Sequence, residues 1–178
     1  GIDISTGSLG QGLACGVGMG IAAKKDKKDY RVFVVVGDGE CQEGEIWEAA
    51  QTAHKYELDN LVVFVDNNGL QISGQVTEVM NMEPIAGKFA AFGWAVAKID
   101  GNDMEEIVKM LDRLPIERGK PTLILCHTVK AKGLSFGENQ AGYHFWNATE
   151  ELLRQAEEEM EARAEELRQE MEAVAYDG

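Results

Sequence analysis

RVFVVVGDGECQEG, residues 31–44, and LVVFVDNNGLQISG, residues 61–74, are built alike. Each opens on a run of β-branched and apolar residues and closes on an acid or an amide set among glycines. A short apolar run bounded by turn residues reads as a strand, and one without polar alternation reads as a strand buried on both faces. Between the runs, GEIWEAAQTAHKYE (44–57) has the length of a helix. Strand, helix, strand in that order predicts a βαβ unit with parallel strands, because a parallel pair needs a crossover.

The pattern continues outward. Residues 8–25 predict a helix of small residues, 84–92 a short helix opened by Pro84, 94–99 a strand, 103–114 a helix and 121–126 a strand. This alternation predicts an α/β fold with a doubly wound, mostly parallel sheet. Residues 148–175 predict one long helix. Leu153, Ala156, Met160, Ala164, Leu167, Met171 and Val174 step by three and four into one apolar stripe. Asn147 and Thr149 both qualify as N-caps, Asn147 with Glu150 at capping-box spacing. Glu150–Arg154 and Glu159–Arg163 have the spacing of favourable ion pairs. The expected organisation is a domain over 1–147 and an acidic helix over 148–178, packed on the domain or on a partner.

The net charge is −14, and eleven acids with three arginines put −8 of it in residues 150–178. That excludes nucleic-acid binding through a broad basic surface. A phosphate ligand needs local donors here, since the global field repels it. No run approaches the roughly 18 apolar residues of a membrane helix. The opening GIDISTGSLG has neither the basic start nor the apolar core of a signal peptide. Cys15, Cys41 and Cys126 form no CxxC and no metal spacing, which fits a reducing, cytoplasmic compartment. Cys15 and Cys126 read as small buried apolar residues.

In a parallel sheet the carboxyl ends of all strands share one edge, and ligands bind there at a topological switch point. GDGE and DNNG therefore face one region if their strands are neighbours. Asp38 offers a carboxylate oxygen and Asn68 an amide oxygen, donors that suit Mg²⁺ or Ca²⁺. They are too few for a protein cage, so the pair predicts a metal shared with a phosphorylated cofactor. Gly37 and Gly39 let the backbone turn sharply beside it. Either turn alone reads as ordinary turn chemistry; the two together, a helix and a strand apart, read as a site. Upstream, STGSLGQGLACGVGMG carries Gly7, Gly10, Gly12, Gly16, Gly18 and Gly20. So many glycines predict close backbone approach to another helix, to a phosphate at a helix start, or to both.

STGSLGQG, GDGECQEGEIWEAA, DNNGLQISG, KAKG and a late histidine together resemble transketolase, from residue 1 to about 147. The likeness is greatest to the N-terminal subunit of split, two-chain transketolases. It implies the thiamine-diphosphate-binding fold, with thiamine diphosphate and Mg²⁺ (or Ca²⁺) as cofactors. It implies transfer of a two-carbon ketol unit from a ketose phosphate to an aldose phosphate. Asp38 and Asn68 would ligate the metal by side chain, and Leu70 by its carbonyl. Gly37 and Gly39 would lie at the diphosphate, Gly7 and Leu9 near the aminopyrimidine, and Ile72 against the middle of the cofactor. Glu43 would join a carboxylate network reaching towards the partner half. His144, in AGYHFW, would stand near the diphosphate and the reacting centre. His54 reads as structural, His127 as a weaker site residue, and Lys130 and Lys132 as loop lysines or phosphate-steering groups.

The resemblance also implies a complementary C-terminal subunit, which brings the glutamate that activates the cofactor, in a homo- or hetero-oligomer. The family's usual chain extends upstream of GIDISTGSLG and carries active-site histidines there. The expectation is therefore a fragment or a truncated subunit, active only with its complementary half. Three alternatives remain open. One is a non-catalytic cofactor-binding or assembly subunit. Another is a related enzyme, a deoxyxylulose-phosphate synthase or a 2-oxoacid dehydrogenase alpha subunit. The third is a generic Mg-nucleotide binder on a doubly wound sheet, against which the lack of GxGxxG or a P-loop counts.

Overall fold

The computed structural model describes the fold of residues 1–176 and the side-chain surroundings of residues 1–172. It forms two compact units, Gly1–Thr128 and a second from Val129 onward. The first unit holds helix α1 (Gln11–Lys25), strand β1 (Val32–Gly37), a 3₁₀ turn (Gly39–Gln42), α2 (Gly44–Lys55) and β2 (Leu61–Asn67). A small hairpin of β3 (Leu70–Gln71) and β4 (Gly74–Gln75) follows, then α3 (Val76–Val79), α4 (Ile85–Ala91), β5 (Ala95–Asp100), α5 (Met104–Asp112) and β6 (Thr122–His127). The second unit carries a 3₁₀ turn (Ala141–His144) and α6 (Glu150–Tyr176).

The main sheet has the order β1-β2-β6-β5 with every pair parallel. Its register sets Val34 beside Val63 and Val63 beside Leu123. On one face, α1, α2 and α4 bury Leu13, Val17, Ile46, Ala50 and Phe89 against Val34, Val36, Val63 and Leu123. On the other, Met110 of α5 packs with Val62, Ile99, Ile124 and Cys126. Phe89 anchors the first layer, meeting Trp94 edge-on at 5.1 Å, while the Trp94 indole N–H donates to the Ala50 carbonyl at 2.9 Å. Burying that indole without an acceptor would cost stability, so the bond and the ring packing reinforce each other.

The expected strands and helices are present, with four differences of physical interest. First, β1 is not buried on both faces: Phe33 and Val35 are 50% and 72% exposed. β1 lies at the sheet edge, and the layer built on α5 reaches no further than Val62 and Phe64 of β2. Second, α1 begins at Gln11 and not at residue 8, because Gly10 takes φ +90° and turns the chain into the helix. Third, Cys15 is exposed, contrary to its reading as a buried residue, while Cys126 is buried as expected. Fourth, β1 and β2 are consecutive neighbours whose helices cover one face, so their ends are no switch point.

In α6 the cap is Thr149, whose hydroxyl oxygen accepts the Leu152 N–H at 3.2 Å. Arg154 pairs with Glu158 and Arg163 with Glu166, in place of the expected Glu150–Arg154 and Glu159–Arg163 pairs. Glu159 instead accepts from the backbone N–H of Ser135 at 2.7 Å and from its hydroxyl. Leu153, Met160, Leu167 and Met171 of the stripe are exposed; the Val174 side chain lies outside the described surroundings. No described helix is long and apolar enough to cross a membrane.

Candidate functional site

Parallel pairing brings the two loops together. Gly37 is in register with Asp66, so β1 and β2 end at one level. The Asp38 N–H continues the ladder by donating to the Asp66 carbonyl at 3.1 Å. Asp38 is only 2% exposed. Its Oδ1 accepts the Gly39 N–H at 2.7 Å, and its Oδ2 accepts the Gly69 N–H at 2.6 Å and the Asn67 amide at 3.3 Å. Burial pushes its carboxyl above the ordinary value, the Gly69 and Gly39 N–H groups pull it back, and the nearby Asp66 carboxylate raises it further. A carboxylate held in this way is poised for a cation, which would offset both the desolvation and the repulsion.

Asn68 is oriented by the same neighbour. Its amide nitrogen donates to Asp66 Oδ2 at 3.0 Å, and the other Asp66 oxygen accepts the Thr128 hydroxyl. The Asn68 carbonyl oxygen is thereby turned into the loop, where it accepts the Leu70 N–H at 2.9 Å. An amide oxygen has two lone pairs and a carboxylate about four acceptor sites. Both Asn68 Oδ1 and Asp38 Oδ1 therefore keep capacity beyond the single bond that each accepts. Among the described residues no group of three or more His, Cys, Asp and Glu side chains could hold a metal. The side-chain donors that the loops bring together, Asp38 and Asn68, are both oxygens. They fit a hard divalent cation, which takes roughly six to eight oxygens and completes its shell from phosphate or water.

The glycines separate by task. A Cβ on Gly39 would stand 3.0 Å from Gln71 Cβ, and Gln71 is held there by the Gln42 amide, which donates to its carbonyl oxygen at 2.6 Å. A Cβ on Gly10 would meet Glu43 Cβ at 3.2 Å. Gly16 and Gly20 serve packing, against Val34 and Leu58, while Gly7 faces open space. Leu9 and Ile72 are large apolar residues left 56% and 63% exposed on the loops around Asp38. Glu43 is exposed at the N-cap of α2.

The first unit thus brings Gly37, Asp38, Gly39, Asn68, Leu70 and the STGSLG loop to one sheet edge. His127, at the end of β6, is exposed. The His54 ring lies where a Cβ on Gly93 would be, 2.4 Å from its nearest atom, in keeping with a structural role. His144 belongs to the second unit, exposed, with its ring 4.9 Å from Phe145. In that unit Lys132 faces Glu138 at 3.8 Å. Asp66 and Glu40 escaped the sequence reading, in which Asn67 is only a turn residue. Asp66 and Asn67 lie inside the DNNG motif, and the signal was their position at the last residues of a strand.

The chain matches the family model described as transketolase, thiamine diphosphate binding domain, over residues 1–171. It is 45% identical over 170 residues to an apulose-4-phosphate transketolase subunit of Phocaeicola vulgatus, covering 96% of this chain and 60% of the relative. It is 44% identical over 161 residues to a 6-deoxy-6-sulfo-D-fructose transketolase subunit of a Clostridium species, covering 90% and 58%. The chain therefore spans three fifths or less of the length of these curated relatives. The crystal structure of a transketolase from Campylobacter jejuni superposes with a TM-score of 0.82 at 36% identity, covering 89% of this chain and 26% of that one.

Proposed function

This chain belongs to the transketolase thiamine diphosphate-binding family, and on that premise we propose that it is the cofactor-holding part of a two-subunit transketolase. With a complementary C-terminal subunit it transfers a two-carbon ketol unit from a ketose phosphate to an aldose phosphate, using thiamine diphosphate and Mg²⁺ or Ca²⁺. One observation carries the reading: the Asp38 and Asn67–Gly69 loops sit side by side at the ends of β1 and β2, joined by the Gly69-to-Asp38 hydrogen bond.

Asp38, Asn68 and the Leu70 carbonyl hold the divalent ion. Gly37 and Gly39 bring backbone to the diphosphate without a side chain in the way. Gly7 and Leu9 border the aminopyrimidine, and Ile72 covers the middle of the cofactor; the exposed apolar surface of Leu9 and Ile72 is what a bound ring would bury. Glu43 extends a carboxylate network towards the partner subunit. His144 moves protons at the substrate oxygens, the common task of a catalytic imidazole. When bound, thiamine diphosphate supplies the ring that carries the two-carbon unit between sugars. The cofactor domain covers 1–147, and an acidic helix follows it in the chain. The three free thiols suit a reducing, cytoplasmic compartment.

The test is ketol transfer by the full-length chain with its complementary subunit, thiamine diphosphate and Mg²⁺. Transfer that needs both subunits and both cofactors is the expected outcome. Cofactor binding without transfer under any pairing would favour an assembly subunit.

A further inference from the structure

Glu40 lies in the 3₁₀ turn that follows Asp38 and has no role in the site as assigned above. Its two carboxylate oxygens go to two separate backbone segments. Oε1 accepts the Gly10 N–H at 2.9 Å, and Oε2 accepts the Gly37 N–H at 3.0 Å. Gly10 closes the STGSLG loop and turns it into α1, while Gly37 ends β1 directly before Asp38. One side chain therefore ties the loop that carries Gly7 and Leu9 to the strand end that carries Asp38. The start of α1 has no side-chain cap of its own and no acid in its first turn. Glu40 supplies that missing negative charge, and its hydrogen bonds are of the stronger, charge-assisted kind. On the opposite flank of the same turn, Gln42 fastens Gln71 of the second loop.

We propose that Glu40 is a positioning residue that clasps the STGSLG loop to the end of β1, presetting the two walls, one at the aminopyrimidine and one at the diphosphate, between which thiamine diphosphate is held. This rests on the reading of the site given above. Glu40 acts through the loop and need not touch the cofactor. A loop fixed beforehand loses less freedom on binding, so the benefit falls on affinity. The geometry requires a carboxylate. Glutamine offers one acceptor oxygen and turns an NH₂ towards the other N–H, and alanine offers none.

The test uses the natural full-length chain as wild type, Glu40→Gln and Glu40→Ala. Thiamine diphosphate binding is measured by calorimetry in Mg²⁺, and amide hydrogen exchange at Gly10 and Gly37 is measured without cofactor. Glu40→Gln should weaken binding about tenfold, the equivalent of one charged hydrogen bond, and Glu40→Ala more. Exchange at both amides should rise in the cofactor-free protein. With the complementary subunit, the half-saturating cofactor concentration should rise while the rate at saturation stays near wild type. If Glu40→Ala does not fold, the near-isosteric Glu40→Gln carries the test alone. Equal binding by wild type and Glu40→Gln overturns the proposal, as does a fall in saturated rate at unchanged affinity. A wild type that binds no thiamine diphosphate overturns the reading of the site, and the proposal with it.

Discussion

Asp38 is an acid buried to 2% exposure, and three N–H donors keep it there. Burial governs two of the thiols as well. Burial, with the Glu40 and Asp38 charges adding to it, pushes the Cys41 thiol up to about 12. Burial and then Asp66 push Cys126 up to about 11. At pH 8 the thiolate fraction of Cys41 is on the order of one in ten thousand, and only the thiolate reacts. Cys15 is exposed on α1. A thiol reagent at pH 8 should therefore label the native chain at Cys15 and reach the other two only in denaturant. Peptide mapping after labelling checks this, and native modification of Cys41 would contradict it.

At the scale of elements, α1 meets the sheet through glycine. A Cβ on Gly16 would stand 2.5 Å from Val34 Cγ2 in the core, whereas Gly18 has nothing within 4 Å. Alanine in a helix gains about 1 kcal/mol over glycine, but overpacking a filled core costs about 1–3 kcal/mol. The clash should win at Gly16 and the propensity at Gly18. Gly16→Ala should lower the thermal midpoint and Gly18→Ala should raise it, as calorimetric melting can show. These glycines were legible as a demand for close approach, but which served packing depends on the helix phase against β1, which only the fold supplies. Strands were legible because β-branched runs announce themselves. The exposure of Phe33 and Val35 was not, since a run of apolar residues looks the same at an edge as at the centre. The hairpin over Leu70–Gln75 and the 3₁₀ turn at Gly39–Gln42 have no periodicity to read. They are set by Asn68, Asp38 and Gln42 hydrogen bonds, two of which join segments about thirty residues apart. Asp38 and Asn68 could be named from the strand ends, while Asp66 and Glu40, which orient them, act through tertiary contacts.

Across the whole molecule the charge is unevenly spread. Of the net −14, −8 lies in residues 150–178, in and around α6. An acidic chain that holds a diphosphate needs local donors, because the field of the protein opposes it; in the proposed site these are a cation and backbone N–H groups. In the proposed site, binding of the diphosphate therefore depends on the cation. The direct measurement is calorimetric titration of the full-length chain with thiamine diphosphate, with and without Mg²⁺, as wild type and Asp38→Asn. Binding should require Mg²⁺ and weaken about a hundredfold in Asp38→Asn, the loss expected for a buried charged pair. Binding that is equally tight without Mg²⁺, or in Asp38→Asn, would contradict the metal-and-diphosphate site at the ends of β1 and β2.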